Sequence, residues 1–240
     1  MKALIMAAGI GSRISRHLNG QPKCCVKIGD VELIKYTFDL LNKKGITDIA
    51  IVTGYNEHFI LDAIGKFKFK HFKNNFYDVT NSIASLWFAK EFLDESDDVL
   101  IMNGDVFMED EVLDVILSDH RSPLFLSDSS RIEDADYRFN WRDEKLVKFG
   151  KELSNDETTG EYVGIAKIAK EDIAFTQKSL KKLIETQKHN YWWEDIFYRN
   201  IDKKSIYITD IKGMFWAEVD YIEDYERIQE YLKQKGDDDG

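Results

Sequence analysis

The residues best suited to chemistry are two cations around a glycine-rich turn and three acids far from them in sequence. The turn is "AAGIGSR", with Gly9, Gly11 and Arg13, and Lys23 follows in "PK". A Gly-rich turn exposes backbone N–H groups and lets a ligand approach the main chain, so it suits phosphate. Arg13 could grip phosphate oxygens with its planar fork, and Lys23 could act as a compact point charge. The acids are Asp105, in "NGD" at the end of an apolar run, and Glu218 and Asp220, in "FWAEVD". Residues two apart on a strand point to one face. Two acids on one face of an apolar strand are costly unless exposed or paired with a cation. With Asp105 they could hold Mg²⁺, which is usually bound by one or two carboxylates plus substrate phosphates. Plainer alternatives exist: a turn with solvated cations, and Asp105 as a turn residue or helix N-cap.

Spacing removes two familiar readings of the turn. After Gly9 and Gly11 the third position of a dinucleotide fingerprint holds Ile14. No Gly-Lys-Ser/Thr follows, so it is not a Walker A loop. A dehydrogenase is disfavoured with the first of these.

The elements that must position these groups follow from the apolar pattern. "KALIMAA", "ITDIAIVTGY" and "DDVLIMNGDV" read as buried strands, with a shorter strand signal in "HFKNNFY". "VELIKYTFDLLNKKG", "EHFILDAIGKF", "TNSIASLWFAKEFL" and "MEDEVLDVILSD" read as helices between or after them. This alternation argues for a parallel sheet covered on both faces. From about Pro123 the pattern changes. "PLFLSDS", "RFNWRDEKLVKFGKEL" and "EYVGIAKI" look like strands joined by polar turns. A helix follows in "AFTQKSLKKLIETQ", then "NYWWEDIFYRN", strands in "IYITDI" and "FWAEVD", and a closing helix in "YIEDYERIQEYLKQK". The 240 residues suffice for one large domain, and no Pro-, Gly- or Ser-rich linker divides them.

Composition narrows the partners. Apolar residues are 43% and charged residues 32%, as in ordinary globular chains. A net charge of −11 disfavours nucleic acid as the main partner. No apolar run reaches the roughly 18 residues that span a bilayer, so no membrane partner is expected. The first apolar run is short and leads into Gly-Ser-Arg, unlike a signal peptide. Cys24 and Cys25 are adjacent and poorly placed to pair or to bind zinc. These features lead us to expect a cytoplasmic protein; they leave monomer and homodimer both open.

"AAGIGSR", eight residues, then "PK", with "NGD" and a late "EVD", resembles the sugar-phosphate and choline-phosphate nucleotidyltransferases, along nearly the whole chain. The resemblance implies an α/β fold with a Rossmann-like, mostly parallel sheet flanked by helices and a small mixed substrate-side subregion. It implies one domain, residues 1–240, with a nucleotide-binding half over about 1–122 and a substrate-binding half and closing helix over about 123–240. It implies that an NTP and a phosphorylated small molecule give an NMP-linked product and pyrophosphate. Ala8, Gly9, Gly11 and Ser12 would then contact the nucleotide. Arg13 would hold the leaving pyrophosphate, and Lys23 would bridge the α-phosphate and the attacking phosphate. Asp105 and Asp220 would hold Mg²⁺, with Glu218 left to the substrate. The loop departs from the family's usual pattern in its extra basic residues Arg16 and His17.

Within that superfamily, Asn81, Ser82 and Ser85 in "TNSIASLWFA" resemble the cytosine-pocket segment of bacterial phosphocholine cytidylyltransferases. "YWWEDIFYRN" is similar to that branch and to the 2-aminoethylphosphonate cytidylyltransferases. CTP is therefore the expected nucleotide, with an amine-bearing phosphate or phosphonate as acceptor. The residues themselves are compatible: Tyr191, Trp192 and Trp193 beside Glu194 and Asp195 could cage an ammonium group. Aromatics at such spacing also fill cores. Lys151 and Glu161 could contact the substrate phosphate, or be hairpin surface charges. The alternatives are a sugar-1-phosphate nucleotidyltransferase using UTP, GTP or dTTP, and a non-catalytic nucleotide-binding regulator.

Overall fold

The computed structural model describes the chain apart from Ser12, Ser15, Arg16, His17, Asp239 and Gly240. Ser12, Arg16 and His17, singled out above, therefore lie outside the described residues. The chain runs through β1 (Lys2–Ala7), β2 (Lys27–Ile28), β3 (Val31–Glu32), α1 (Leu33–Lys43), β4 (Ile49–Thr53), α2 (Glu57–Ile64), β5 (Lys70–Lys73) and α3 (Ser82–Phe88). It continues through β6 (Val99–Asn103), β7 (Val106–Met108), α4 (Asp110–Ser118), β8 (Leu124–Asp128), β9 (Arg138–Arg142), β10 (Lys145–Gly150) and β11 (Gly160–Ile168). The last elements are α5 (Lys170–Glu185), α6 (Asp195–Tyr198), β12 (Tyr207–Asp210), β13 (Trp216–Glu218) and α7 (Ile222–Asp238).

β1 shows why the sheet is central. Its alternate residues point to opposite faces, and both faces are buried. Ala3 and Ile5 join the apolar cluster under α1, α2 and α4, whereas Leu4 and Met6 join the one under α3, α5 and α6. A strand buried on both faces reads as a continuous apolar run, which is how β1, β4 and β6 look in the sequence. A third cluster, containing Ile14, Val26, Leu33, Phe107, Val219 and Ile228, seats the loop after β1 against α7.

Nine strands form one sheet in the order β5-β4-β1-β6-β11-β8-β12-β10-β9. Parallel pairing is confined to β5-β4-β1-β6 and to β8-β12. β11 runs antiparallel to both β6 and β8, and β10 is antiparallel to β12 and β9. The expectation of a mostly parallel sheet is thus corrected to a mixed one. All nine residues of β11 are buried, Glu161 and Lys167 included, so the strand lacks the apolar–polar alternation that would mark it as antiparallel. β7 and β13 pair separately as a two-stranded ribbon above the end of β6. No helix among the described residues is long and apolar enough to cross a membrane.

Candidate active site

The cleft opens at the C-terminal ends of β1 and β6, where α/β sheets with parallel strands characteristically bind ligands. Gly104, in the turn from β6 to β7, is needed for this packing. A Cβ there would lie 2.9 Å from the Ala7 Cβ and 3.2 Å from the Met6 carbonyl oxygen. Gly11 is needed for another reason. Its φ is +66°, and a Cβ would meet the Lys23 side chain at 2.6 Å. Gly11 does not line the cleft. It makes room for the lysine that does.

The β13–β7 ribbon brings the late acids to the early loop. Glu218 pairs with Val106, and the Val219 N–H donates to the Asp105 carbonyl at 2.9 Å. Asp224, in the first turn of α7, accepts from the N–H groups of Asp220 and Tyr221 at 3.2 and 2.9 Å, which fixes the turn after β13. One carboxylate oxygen each from Asp105, Glu218 and Asp220 then lies within 4.8 Å of the others. Lys23 forms an ion pair with Asp220 and lies 3.5 Å from Asp105, and Arg13 Nη2 lies 2.6 Å from Asp220. Arg13 also donates to the Tyr221 hydroxyl at 3.1 Å.

Charges this close move one another's protonation. Burial and the neighbouring Asp220 raise the Asp105 carboxyl, with Lys23 opposing them. Burial, Asp105 and Asp220 push Glu218 well up. Burial pulls the Lys23 ammonium down, but Asp105 and Asp220 outweigh it and the net shift is upward. Three acids face two cations, Lys23 and Arg13, so full ionisation would leave one negative charge over. That donor set suits a hard divalent cation, which prefers carboxylate oxygens.

A cleft of about 340 Å³ extends from this cluster. Ala8, Gly9, Asn81, Ser82 and Ser85 line it. Asn81 caps α3 by accepting from the Ser82 N–H at 2.8 Å. The Ser82 and Ser85 hydroxyls accept from the Trp193 N–H at 2.9 Å and from Asn74 Nδ2 at 3.0 Å. With those lone pairs used, each hydroxyl keeps an O–H for a ligand acceptor.

Next to them, joined through that Trp193 N–H bond to Ser82, lies an aromatic recess, built differently from the expectation. Trp192 lines the cleft and is 39% exposed. Trp193 is corrected to a core residue: it is 1% exposed and packs on Phe125 at 5.8 Å between ring centroids. Neighbouring side chains at the turn into α6 point to different sides, so one indole faces the cleft and the other the core. Tyr191 is also corrected. It is not among the cleft-lining residues, and its ring carries the Arg199 guanidinium at 4.0 Å. The remaining walls are Tyr137, Tyr162 and Tyr198. Tyr137 meets Trp192 edge-on at 5.1 Å and stacks over Tyr198 at 6.0 Å. Glu194 sits among them, 7% exposed, and burial pushes its carboxyl up to about 8.

Lys151 and Glu161 line the cleft, but both already have protein partners. Lys151 Nζ reaches Asp136 at 2.7 and 2.9 Å. Glu161 accepts from Arg131 Nε at 2.6 Å and from the Asp136 N–H at 2.7 Å. Glu161 thereby anchors the 129–137 loop that carries Asp136 and Tyr137 to the cleft. Sequence reasoning missed Asn74, Tyr77, Asn103, Asp136 and the three tyrosines. Tyr198 had a usable signal, since it stands four residues after Glu194 and four-residue spacing shares a helix face.

The chain is 28% identical to the CTP:phosphoglutamine cytidylyltransferase of Campylobacter jejuni, across 94% of this chain and 98% of that protein. It is 26% identical to the choline-phosphate cytidylyltransferase of Streptococcus pneumoniae, across 98% of this chain and all of that protein. A solved CTP:phosphocholine cytidylyltransferase from S. pneumoniae shares the fold, with a TM-score of 0.80, 21% identity and 96% of this chain covered (98% of that one). The family model described as the MobA-like NTP transferase domain matches residues 3–129, so the chain belongs to that family of nucleotidyltransferases.

Proposed function

We propose that the protein transfers CMP from CTP to a small amine-bearing phosphate or phosphonate and releases pyrophosphate. The observation that carries this reading is the continuity of one cleft. A glycine turn, two cations and three carboxylates line it, and so does an aromatic recess with a buried acid. A neutral sugar needs many hydroxyl partners, whereas rings around a carboxylate suit a cationic head group. The relatives point the same way, since several are cytidylyltransferases acting on choline phosphate or 2-aminoethylphosphonate.

The reaction is an in-line attack by an acceptor oxygen on the α-phosphorus. The new P–O bond forms as the α–β bridge breaks, and the electron pair leaves with pyrophosphate. Two anions must be drawn together, so positioning and charge screening supply most of the catalysis. Lys23, at the cluster's centre, draws the acceptor phosphate to the α-phosphate. Arg13, at the mouth and 39% exposed, holds the leaving pyrophosphate. Ala8 and Gly9 present the main chain to the triphosphate, and Asn81, Ser82 and Ser85 face the base. Asp105 and Asp220 would hold Mg²⁺, with Glu218 alongside; such an ion neutralises the phosphate charge that develops during transfer. No nucleophilic side chain is required.

The test is pyrophosphate release with each NTP crossed against phosphocholine, phosphoethanolamine, 2-aminoethylphosphonate and glucose-1-phosphate. Release with CTP and an amine-bearing acceptor supports the reading. Release only with glucose-1-phosphate and another NTP favours the sugar-nucleotide alternative, and no release with any pair contradicts catalysis of this kind.

A further inference from the structure

Among the described residues three cations line the cleft: Arg13, Lys23 and Lys151. Arg13 and Lys23 stand at the carboxylate cluster. Lys151 stands at the aromatic recess, its Nζ 5.9 Å from the centroid of the Trp192 ring. A lysine is a mismatch in a subsite for an amine alone. It takes the ring that would hold the ligand's ammonium, and such an acceptor would bring a second positive charge beside it. Glu194 offsets little of that charge near neutral pH, because burial pushes its carboxyl up to about 8. The ion-pair partner of Lys151 is Asp136, whose two carboxylate oxygens lie 2.7 and 2.9 Å from Nζ. Asp136 also lies 3.9 Å from Arg13. Both members of the Lys151–Asp136 pair line the cleft, with side chains 40% and 44% exposed. An ion pair that exposed is weak, so a ligand can exchange with either partner at little cost.

We propose that the acceptor carries a carboxylate beside its amine, the zwitterionic head of an α-amino acid, and that the Lys151–Asp136 pair reads it. The proposal rests on the reading of this cleft as a CMP-transfer site with the acceptor's amine at the recess. In such a head one carbon separates the two charged groups, which matches an ion pair in direct contact. The ligand carboxylate accepts from Lys151 and the ligand ammonium donates to Asp136, so every charge keeps an opposite neighbour. An acceptor with the amine alone can take Asp136 only by leaving Lys151 beside a like charge. Lys151 thereby selects the acceptor without holding the reacting phosphate, which falls to Lys23.

The test is pyrophosphate release with CTP and Mg²⁺ from two pairs of acceptors, each pair differing by the carboxylate alone. They are O-phosphoserine against phosphoethanolamine, and O-phosphohomoserine against 3-aminopropyl phosphate. The two chain lengths allow for the reach from Lys23 to Lys151. kcat/KM is expected to be higher with the carboxylate by at least about tenfold in one pair or both, the size of one charge-assisted hydrogen bond. Lys151→Met is expected to bring that ratio toward one, and Lys151→Arg to keep most of it. Thermal melts check that both variants fold. A lysine that instead held the acceptor phosphate would affect both members of a pair alike and leave their ratio unchanged. No preference for the carboxylate in either pair overturns the proposal, as does a ratio undiminished in folded Lys151→Met, while CMP transfer to an amine-bearing acceptor still stands. No release with any of the four acceptors overturns the CMP-transfer reading, and this proposal with it.

Discussion

Lys23 and Asp220, separated by 197 positions in the chain, form an ion pair at the centre of the cleft. In the proposed reaction each serves a different ligand, the lysine a phosphate and the aspartate a metal. In the free enzyme each occupies the other. The pair is held by Gly11, which makes room for the lysine, and by the turn after β13, which fixes the aspartate.

Removing the lysine should therefore harm both chemistry and fold. Lys23→Ala leaves Asp105, Glu218 and Asp220 facing one another, with the partly exposed Arg13 on Asp220 in place of a central cation. Breaking a buried pair from one side costs about 3–5 kcal/mol. We expect a lower Tm together with a fall in kcat of at least about a hundredfold, an effect of the size seen when one preorganised charge-stabilising donor is removed. Near-normal turnover in a folded Lys23→Ala variant would remove the lysine from the mechanism.

The opposite sign is expected for Glu218→Gln. Its carboxyl is destabilised by burial and by two neighbouring acids, so neutralising it should leave the metal-free Tm unchanged or raised. On the proposed metal site Mg²⁺ should raise Tm, and the same change should shrink that rise, since binding to the native state stabilises it by mass action. Thermal melts with and without Mg²⁺ read both effects. A lower metal-free Tm, or an undiminished Mg²⁺ effect, contradicts this account of the cluster.

Trp192 and Trp193 are adjacent and should behave differently. Trp193→Ala empties a fully buried site and should cost about 3–5 kcal/mol, read by denaturant unfolding. Trp192→Ala should leave stability nearly unchanged and raise KM for the acceptor more than for CTP. Equal effects of Trp192→Ala on both substrates would remove this residue from the acceptor subsite.

Glu194 gives the recess a pH dependence. Its carboxyl titrates near 8 in the folded chain because burial disfavours the charge, with Asp195 adding to the effect and Tyr137, Tyr162 and Tyr198 around it. An unfolded glutamate titrates at about 4.3. Between those values the native state binds the extra proton, so ligand-free stability should fall as pH rises through that window. A cationic acceptor favours the ionised carboxylate, so its KM should fall as pH rises toward and through 8. Glu194→Gln should abolish that part of the profile while leaving titration of the acceptor's own phosphate, which is the control. An identical pH profile in the variant would exclude Glu194 from binding the amine.

The legible and illegible parts of this molecule differ for physical reasons. Arg13, Lys23 and Asp105 could be singled out because glycines, a Pro-Lys step and an acid ending an apolar run constrain chemistry locally. Glu218 and Asp220 stood out as acids on an apolar strand. The direction of β11 could not be read, because nine buried residues in a row look alike whether parallel or antiparallel. Tyr162 was hidden within that same run. Trp193 and Trp192 carry the same side chain, and only the turn into α6 decides which one meets the cleft. Glu161 was legible as an acid beside the site, but its bonds to Arg131 and Asp136 come from a loop whose path the sequence does not mark.

Phosphorus NMR of the complete reaction tests the central claim most directly. The enzyme, CTP, Mg²⁺ and phosphoethanolamine or 2-aminoethylphosphonate are mixed and followed over time. The account predicts free pyrophosphate together with a new pair of coupled resonances from a bridge joining CMP to the acceptor, both lost in Asp220→Ala. Release of pyrophosphate without that coupled pair, or the coupled pair forming undiminished in Asp220→Ala, would contradict it.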